Sequence, residues 1–123
     1  MKEVWSDLVK FETESDRMEG HFAIPSGSLW FDGHFPDDPI LPGIALLGLV
    51  QETLNEDSRR KGQKVKIKEF KRIRFRNIVR PGYELAVVII AKNDGDPDSR
   101  VFTISHDQDV ICSGTVRIKT DAF

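Results

Sequence analysis

Hydrophobic and polar positions change rhythm several times along the chain, and each change marks an element. Val4, Leu8 and Phe11, with Trp5 beside them, recur at helical spacing and predict a short amphipathic helix over 2–12. His21-Phe22-Ala23-Ile24-Pro25 reads as a short strand ending at a proline, followed by the turn Ser26-Gly27-Ser28 and the apolar Leu29-Trp30-Phe31. From Gly43 to about Asn55, Ile44, Leu46, Leu47, Leu49, Val50 and Leu54 cover most of a helical surface, so this helix is predicted to be buried on most sides. Its continuation, Glu56-Asp57-Ser58-Arg59-Arg60-Lys61, is charged and is expected to leave the core before Gly62 ends it.

After Gly62 the period becomes two. Val65, Ile67, Ile73 and Phe75 share one parity; Lys64, Lys66, Lys68, Arg72, Arg74 and Arg76 share the other, with Phe70 among them. That is a half-buried strand with a cationic outer face. Glu69 falls on the apolar parity and predicts a bulge or local twist. Arg80-Pro81-Gly82-Tyr83 is a turn with type II chemistry. Leu85 to Ala91 is apolar on both parities, as in a central strand covered on both faces. The polar loop 93–98 separates it from strands over 101–105 and 110–119, joined across His106-Asp107-Gln108-Asp109. One long helix, a strand before it and four antiparallel-type strands after it give an α+β fold, a curved sheet wrapped around a central helix.

The 123 residues, 39% hydrophobic and 31% charged, suit one globular domain spanning 1–123. No apolar run is long enough to cross a bilayer, and the first residues have no apolar core of a secretory signal, so a cytoplasmic location is expected. The single cysteine, Cys112, alternates with Val110 and Val116 on a strand and reads as a core residue. His21, His34 and His106 lack ligand-like spacing, so neither a metal nor another cofactor is expected. The formal net charge of −2 hides an asymmetry: the stretch 59–80 holds 11 of the 18 Lys and Arg residues and one acid, Glu69. Such a block makes a local positive field. It has few interleaved aromatics, which argues against a nucleic-acid platform.

Candidate chemistry concentrates in Asp32-Gly33-His34-Phe35-Pro36-Asp37-Asp38-Pro39-Ile40-Leu41-Pro42-Gly43. Prolines 36, 39 and 42 fix φ and bias the preceding residues toward extended geometry, so the loop holds His34 firmly. Pro42-Gly43 stands where a helix begins, with unpaired N–H groups and the positive end of the dipole. A proton-transfer group beside an anion-stabilising helix end suits enolate chemistry on a carbonyl compound. The ordinary alternative is a histidine serving only the turn.

The string Gly-His-Phe-Pro-x-x-Pro-Ile-x-Pro-Gly, followed by an apolar helix reaching Gln51, resembles the signature of the 3-hydroxyacyl-[acyl-carrier-protein] dehydratases. The run Phe70 to Leu85 resembles that family's second segment, a basic strand entering a Pro-Gly turn, and the likeness covers roughly residues 20–119. The resemblance implies the hotdog fold, a dimer or dimer-based oligomer, and removal of water from a 3-hydroxyacyl thioester to give a trans-2-enoyl thioester. It makes His34 the base and the Gly43 N–H the donor to the thioester carbonyl, with Phe35, Pro42, Gly48 and Gln51 lining the substrate site. The implied partners are an acyl thioester on phosphopantetheine or coenzyme A, and an acidic acyl carrier protein met by Lys71, Arg72, Arg74 and Arg76. No nucleic acid or membrane is implied.

One position departs from the pattern. The family's helix carries an acidic residue fourteen positions after the histidine and three before the glutamine; that position here is Gly48. Glu52, one helical turn and about 6 Å further on, is the candidate replacement, set against the simpler reading that it marks where the helix meets solvent. Asp37 and Asp38 are weaker candidates. Three readings stay open: an impaired or altered dehydratase, a non-catalytic acyl-thioester or carrier-binding module, and a thioesterase.

Overall fold

The computed structural model describes residues 6–25, 40–92 and 95–122. Among these residues, six strands and one helix follow in the order β1 (Asp7–Thr13), β2 (Arg17–Ala23), α1 (Gly43–Arg60), β3 (Gln63–Phe75), β4 (Glu84–Ala91), β5 (Ser99–His106) and β6 (Asp109–Ala122). They form one antiparallel sheet of order β1-β2-β4-β5-β6-β3. α1 lies against its inner face. Leu46, Leu49, Val50 and Leu54 of the helix share a core with Phe22, Leu85, Val87, Ile89, Phe102, Ile104, Ile111, Cys112, Val116 and Ile118. This is the expected α+β hotdog arrangement. Cys112 is fully buried, and loss of hydration pushes its thiol up to about 11.

The strands show how α1 fills the core. Along β4, Leu85, Val87 and Ile89 point inward and are fully buried, while Ala86 and Val88 are half-buried and Ile90 is exposed. The expectation of cover on both faces is therefore corrected: helix packing supplies one face only, and the other meets Glu19, His21 and Thr103 of neighbouring strands. β3 bulges between Ile67 and Glu69, as the misplaced Glu69 predicts, and again between Lys71 and Arg74. The first bulge moves Phe70 from the cationic parity to the inner face, where its ring meets Phe102 edge-on at 5.9 Å.

Two further corrections concern the ends of the fold. Residues 7–13 are a strand, not part of a helix. Leu8, Phe11 and Thr13 pair with Phe22, Gly20 and Met18 on the inner side, and a register shift between Leu8 and Lys10 lets three-residue spacing mimic a helix. Val4 and Trp5 lie outside the described residues, as does the apolar run 29–31. The helix, for its part, does not leave the core at Glu56: Glu56, Asp57 and Ser58 are buried. Their charges are matched locally, Glu56 by Arg59 and Arg60, and Asp57 by Lys61 at 3.0 Å. The Thr13 hydroxyl also donates to Asp57 at 2.9 Å, tying β1 to the last turn of α1, and the Arg60 guanidinium covers the Phe11 ring at 4.6 Å. Gly62, in the left-handed region at φ +68°, then turns the chain into β3.

Candidate active site at the start of the helix

Among the described residues, no side chain caps the start of the helix. Pro42 occupies the cap position in extended geometry (φ −68°, ψ 150°), and the first turn contains no acid. Proline has no hydroxyl or carboxylate to offer, so its side chain caps none of the first N–H groups; Ala45 N–H donates to the Pro42 carbonyl at 3.0 Å. The segment entering the helix is fixed by Leu41 N–H, which donates to the Val79 carbonyl at 2.8 Å, and both side chains are buried. That bond joins the helix start to the chain leaving β3. Sequence periodicity did not signal this junction, because it involves irregular segments on both sides.

Phe75 completes the local surface. It was expected on the buried parity, yet it is 54% exposed, beyond the second bulge of β3. A Cβ added to Gly43 would approach the Phe75 ring to 2.8 Å, so the ring lies against the glycine. An oxygen accepting from Gly43 N–H would thus lie beside an aromatic wall. Ile44 and Ile78 are exposed as well.

Of the predicted site residues, the structure brings Pro42, Gly43, Gly48, Gln51 and Glu52 together on one helix. His34 and Phe35 lie outside the described residues, as do Asp37 and Asp38. Gly48 and Gln51 are half-buried and Glu52 is exposed. The Gln51 amide donates to Asn55 Oδ1 at 2.8 Å, one turn further along α1. Lys71, Arg72, Arg74 and Arg76 are exposed on or just beyond β3. Lys71 pairs with Glu69 at 3.3 Å.

The other two histidines serve different surroundings. His21 faces outward on β2 and bonds Glu19 at 2.5 Å; that contact, aided by Arg17 and opposed by partial burial, holds the Glu19 carboxyl below its ordinary range. The signal for this pair was their shared parity in β2. His106 stacks on Tyr83 with ring centres 3.8 Å apart. Among the described residues, no three His, Cys, Asp or Glu side chains are grouped to hold a metal ion, and no helix is long and apolar enough to cross a membrane.

The family model described as ApeI-like, ApeI dehydratase, matches residues 10–115, from β1 into β6. The chain belongs to the ApeI-like dehydratase family. Among curated relatives of this ApeI-like chain, the 3-hydroxyacyl-[acyl-carrier-protein] dehydratase FabZ of Syntrophobacter fumaroxidans is 32% identical over 81 residues, 60% of this chain and 54% of the relative. The FabZ of Levilactobacillus brevis is 26% identical over 68% of this chain and 60% of its own length, so the chain spans little more than half of these two relatives. The FabZ of Caldicellulosiruptor bescii is 28% identical over 82% of this chain and 76% of its own. Among solved structures, the dehydratase heterocomplex ApeI:P from Xenorhabdus doucetiae superimposes with a TM-score of 0.76 at 20% identity, covering 96% of this chain and 98% of that one. A mutant of the fluoroacetyl-CoA-specific thioesterase FlK reaches 0.65 at 14% identity, covering 91% and 90%. At these identities the structural likenesses speak for the fold alone.

Proposed function

We propose that this ApeI-like chain binds 3-hydroxyacyl thioesters at the start of α1 and eliminates water from them, with its acid step altered by Gly48. The observation that carries the reading is the helix start at Pro42-Gly43, which no side chain caps among the described residues and which lies against Phe75. In the proposed step the thioester carbonyl oxygen accepts from Gly43 N–H, which stabilises negative charge developing as the His34 imidazole takes the C2 proton. The C2–C3 double bond forms, the C3–O bond breaks, and hydroxide leaves with a proton.

That last proton is where this chain differs. Loss of a positioned general acid costs on the order of 10²- to 10⁴-fold in rate. Glu52, a bound water, or a carboxylate from a partner subunit would take over the role. β3 stands at the edge of the sheet, where pairing with a second subunit would bring another helix near. The Xenorhabdus relative is a dehydratase heterocomplex, which favours a partner that differs from this chain. The basic side chains Lys71, Arg72, Arg74 and Arg76 favour an acidic carrier as the bearer of the thioester.

Incubation with 3-hydroxyacyl and acyl thioesters, read by mass, tests the proposal. Enoyl product lost in His34→Ala supports it. Bound but unchanged substrate would instead support a binding module, the reading that Gly48 itself favours, and free acid a thioesterase. Glu52→Gln reports whether that side chain serves as the acid; unchanged turnover would remove it from the role.

A further inference from the structure

The outer face of the sheet carries a cavity apart from the helix start where the bond-making steps are placed. It holds about 270 Å³ and is lined by Lys71, Arg72, Lys92, Asp96, Ser99, Thr115 and Arg117. Three strands and the loop before β5 converge here: Lys71 stands opposite Thr115, Ser99 opposite Arg117, and Lys92 N–H donates to the Ser99 carbonyl at 3.2 Å. Arg117 is committed, bonding Asp96 at 3.0 Å and Glu69 at 3.2 Å, and Glu69 also holds Lys71. Arg72 differs. It lines the cavity, it makes no ion pair among the described residues, and its backbone sits at φ +55°, a region that side chains other than glycine rarely adopt. The second bulge of β3 sets that conformation.

Among the described residues, the lining holds Lys71, Arg72, Lys92 and Arg117 beside Asp96, and adds Ser99 and Thr115, whose residues are 3% and 8% exposed. A guanidinium fork, an ammonium and two hydroxyl-bearing residues, arriving from different strands, suit a tetrahedral oxyanion better than a planar carboxylate. We propose that this cavity is a phosphoryl-binding site with Arg72 as its principal anion-binding side chain. From Arg72 to Phe75, which touches Gly43, is three residues of strand, about 10 Å. The phosphoryl group is therefore either free phosphate or the phosphodiester of an extended pantetheine arm; only the second source rests on the thioester reading above.

Titration of the full chain at constant ionic strength, followed by amide chemical shifts, tests the site with inorganic phosphate, 4′-phosphopantetheine and coenzyme A in separate arms. The expected result is saturable shifts at Arg72, Ser99 and Thr115, weakened about tenfold or more in Arg72→Gln. Arg72→Gly should weaken binding as much while keeping the fold, because glycine accepts the left-handed backbone. Lys66→Gln, an equal loss of charge on the same strand outside the cavity, should leave binding unchanged. Tighter binding of phosphopantetheine than of phosphate identifies the arm as the source, and equal binding identifies free phosphate. Shifts reproduced by chloride, or equal weakening in Lys66→Gln and Arg72→Gln, would overturn the proposal by showing only a diffuse field. Because no turnover is measured, an inactive protein that still binds phosphate leaves this site standing.

Discussion

Single atoms decide much in this molecule. Gly48 is the sharpest case. Gly48→Glu restores a carboxylate on the helix that carries Gly43, and the proposed chemistry predicts a rise in enoyl formation of 10²-fold or more, measured by initial rates on a 3-hydroxyacyl thioester. It also predicts a more stable helix, since glycine costs up to about 1 kcal/mol relative to residues with side chains. No gain in a well-folded variant would count against the assigned roles. Gly114 tests packing instead. A Cβ there would meet the Phe102 ring at 2.8 Å and the Lys71 carbonyl at 3.2 Å, and Phe102 is fully buried with no room to yield. Gly114→Ala should therefore cost about 1–3 kcal/mol in urea unfolding, by overpacking. Gly43→Ala, by contrast, meets a ring that is more than half exposed and free to swing aside.

Among the elements, the last turn of α1 is the one whose environment was least legible. Charged residues usually mean solvent, so Glu56 and Asp57 read as an exit from the core; the strand that covers them, β1, was itself read as a helix. Both errors share a cause. The bulge in β1 breaks its alternation, and burial of Asp57 depends on a contact with Thr13 across 44 positions, which local periodicity does not encode. Asp57→Ala should destabilise the fold by about 1–3 kcal/mol, since it leaves Thr13 and Lys61 without their acceptor. Asp57→Asn should recover part of that through the hydroxyl bond, and hydrogen exchange should show β1 loosening first. Elements with uninterrupted rhythm were readable: the buried helix from Gly43, the β3 alternation and even its first bulge at Glu69. The helix start was legible from Pro42-Gly43, whereas the Phe75 wall was not: Phe75 keeps the inner parity, opposite buried Cys112, but as the last residue of β3 it meets only the helix start at Gly43 and stays 54% exposed.

For the whole molecule, acid is the informative variable. Glu19, Glu69 and Asp96 all have carboxyls held below their ordinary range by neighbouring donors: His21 and Arg17 for the first, Arg117 and Lys71 for the second, Asp98 N–H and Arg117 for the third. A carboxyl whose folded pKa is depressed stabilises the fold fully above its unfolded pKa, and that contribution disappears as pH falls through the folded value. The urea midpoint should thus be level near neutrality and decline on acidification below the ordinary carboxylate range. Glu19→Gln should make that decline shallower, and an unchanged profile would show that the Glu19–His21 contact contributes little. The sheet order has a different, temporal consequence. Among the described strands β3 zips onto β6 alone, which comes after two intervening strands, while the helix before it is already complete. On a ribosome, the basic strand must wait, unpaired, until the residues of β6 have emerged, which leaves it open to a chaperone during synthesis.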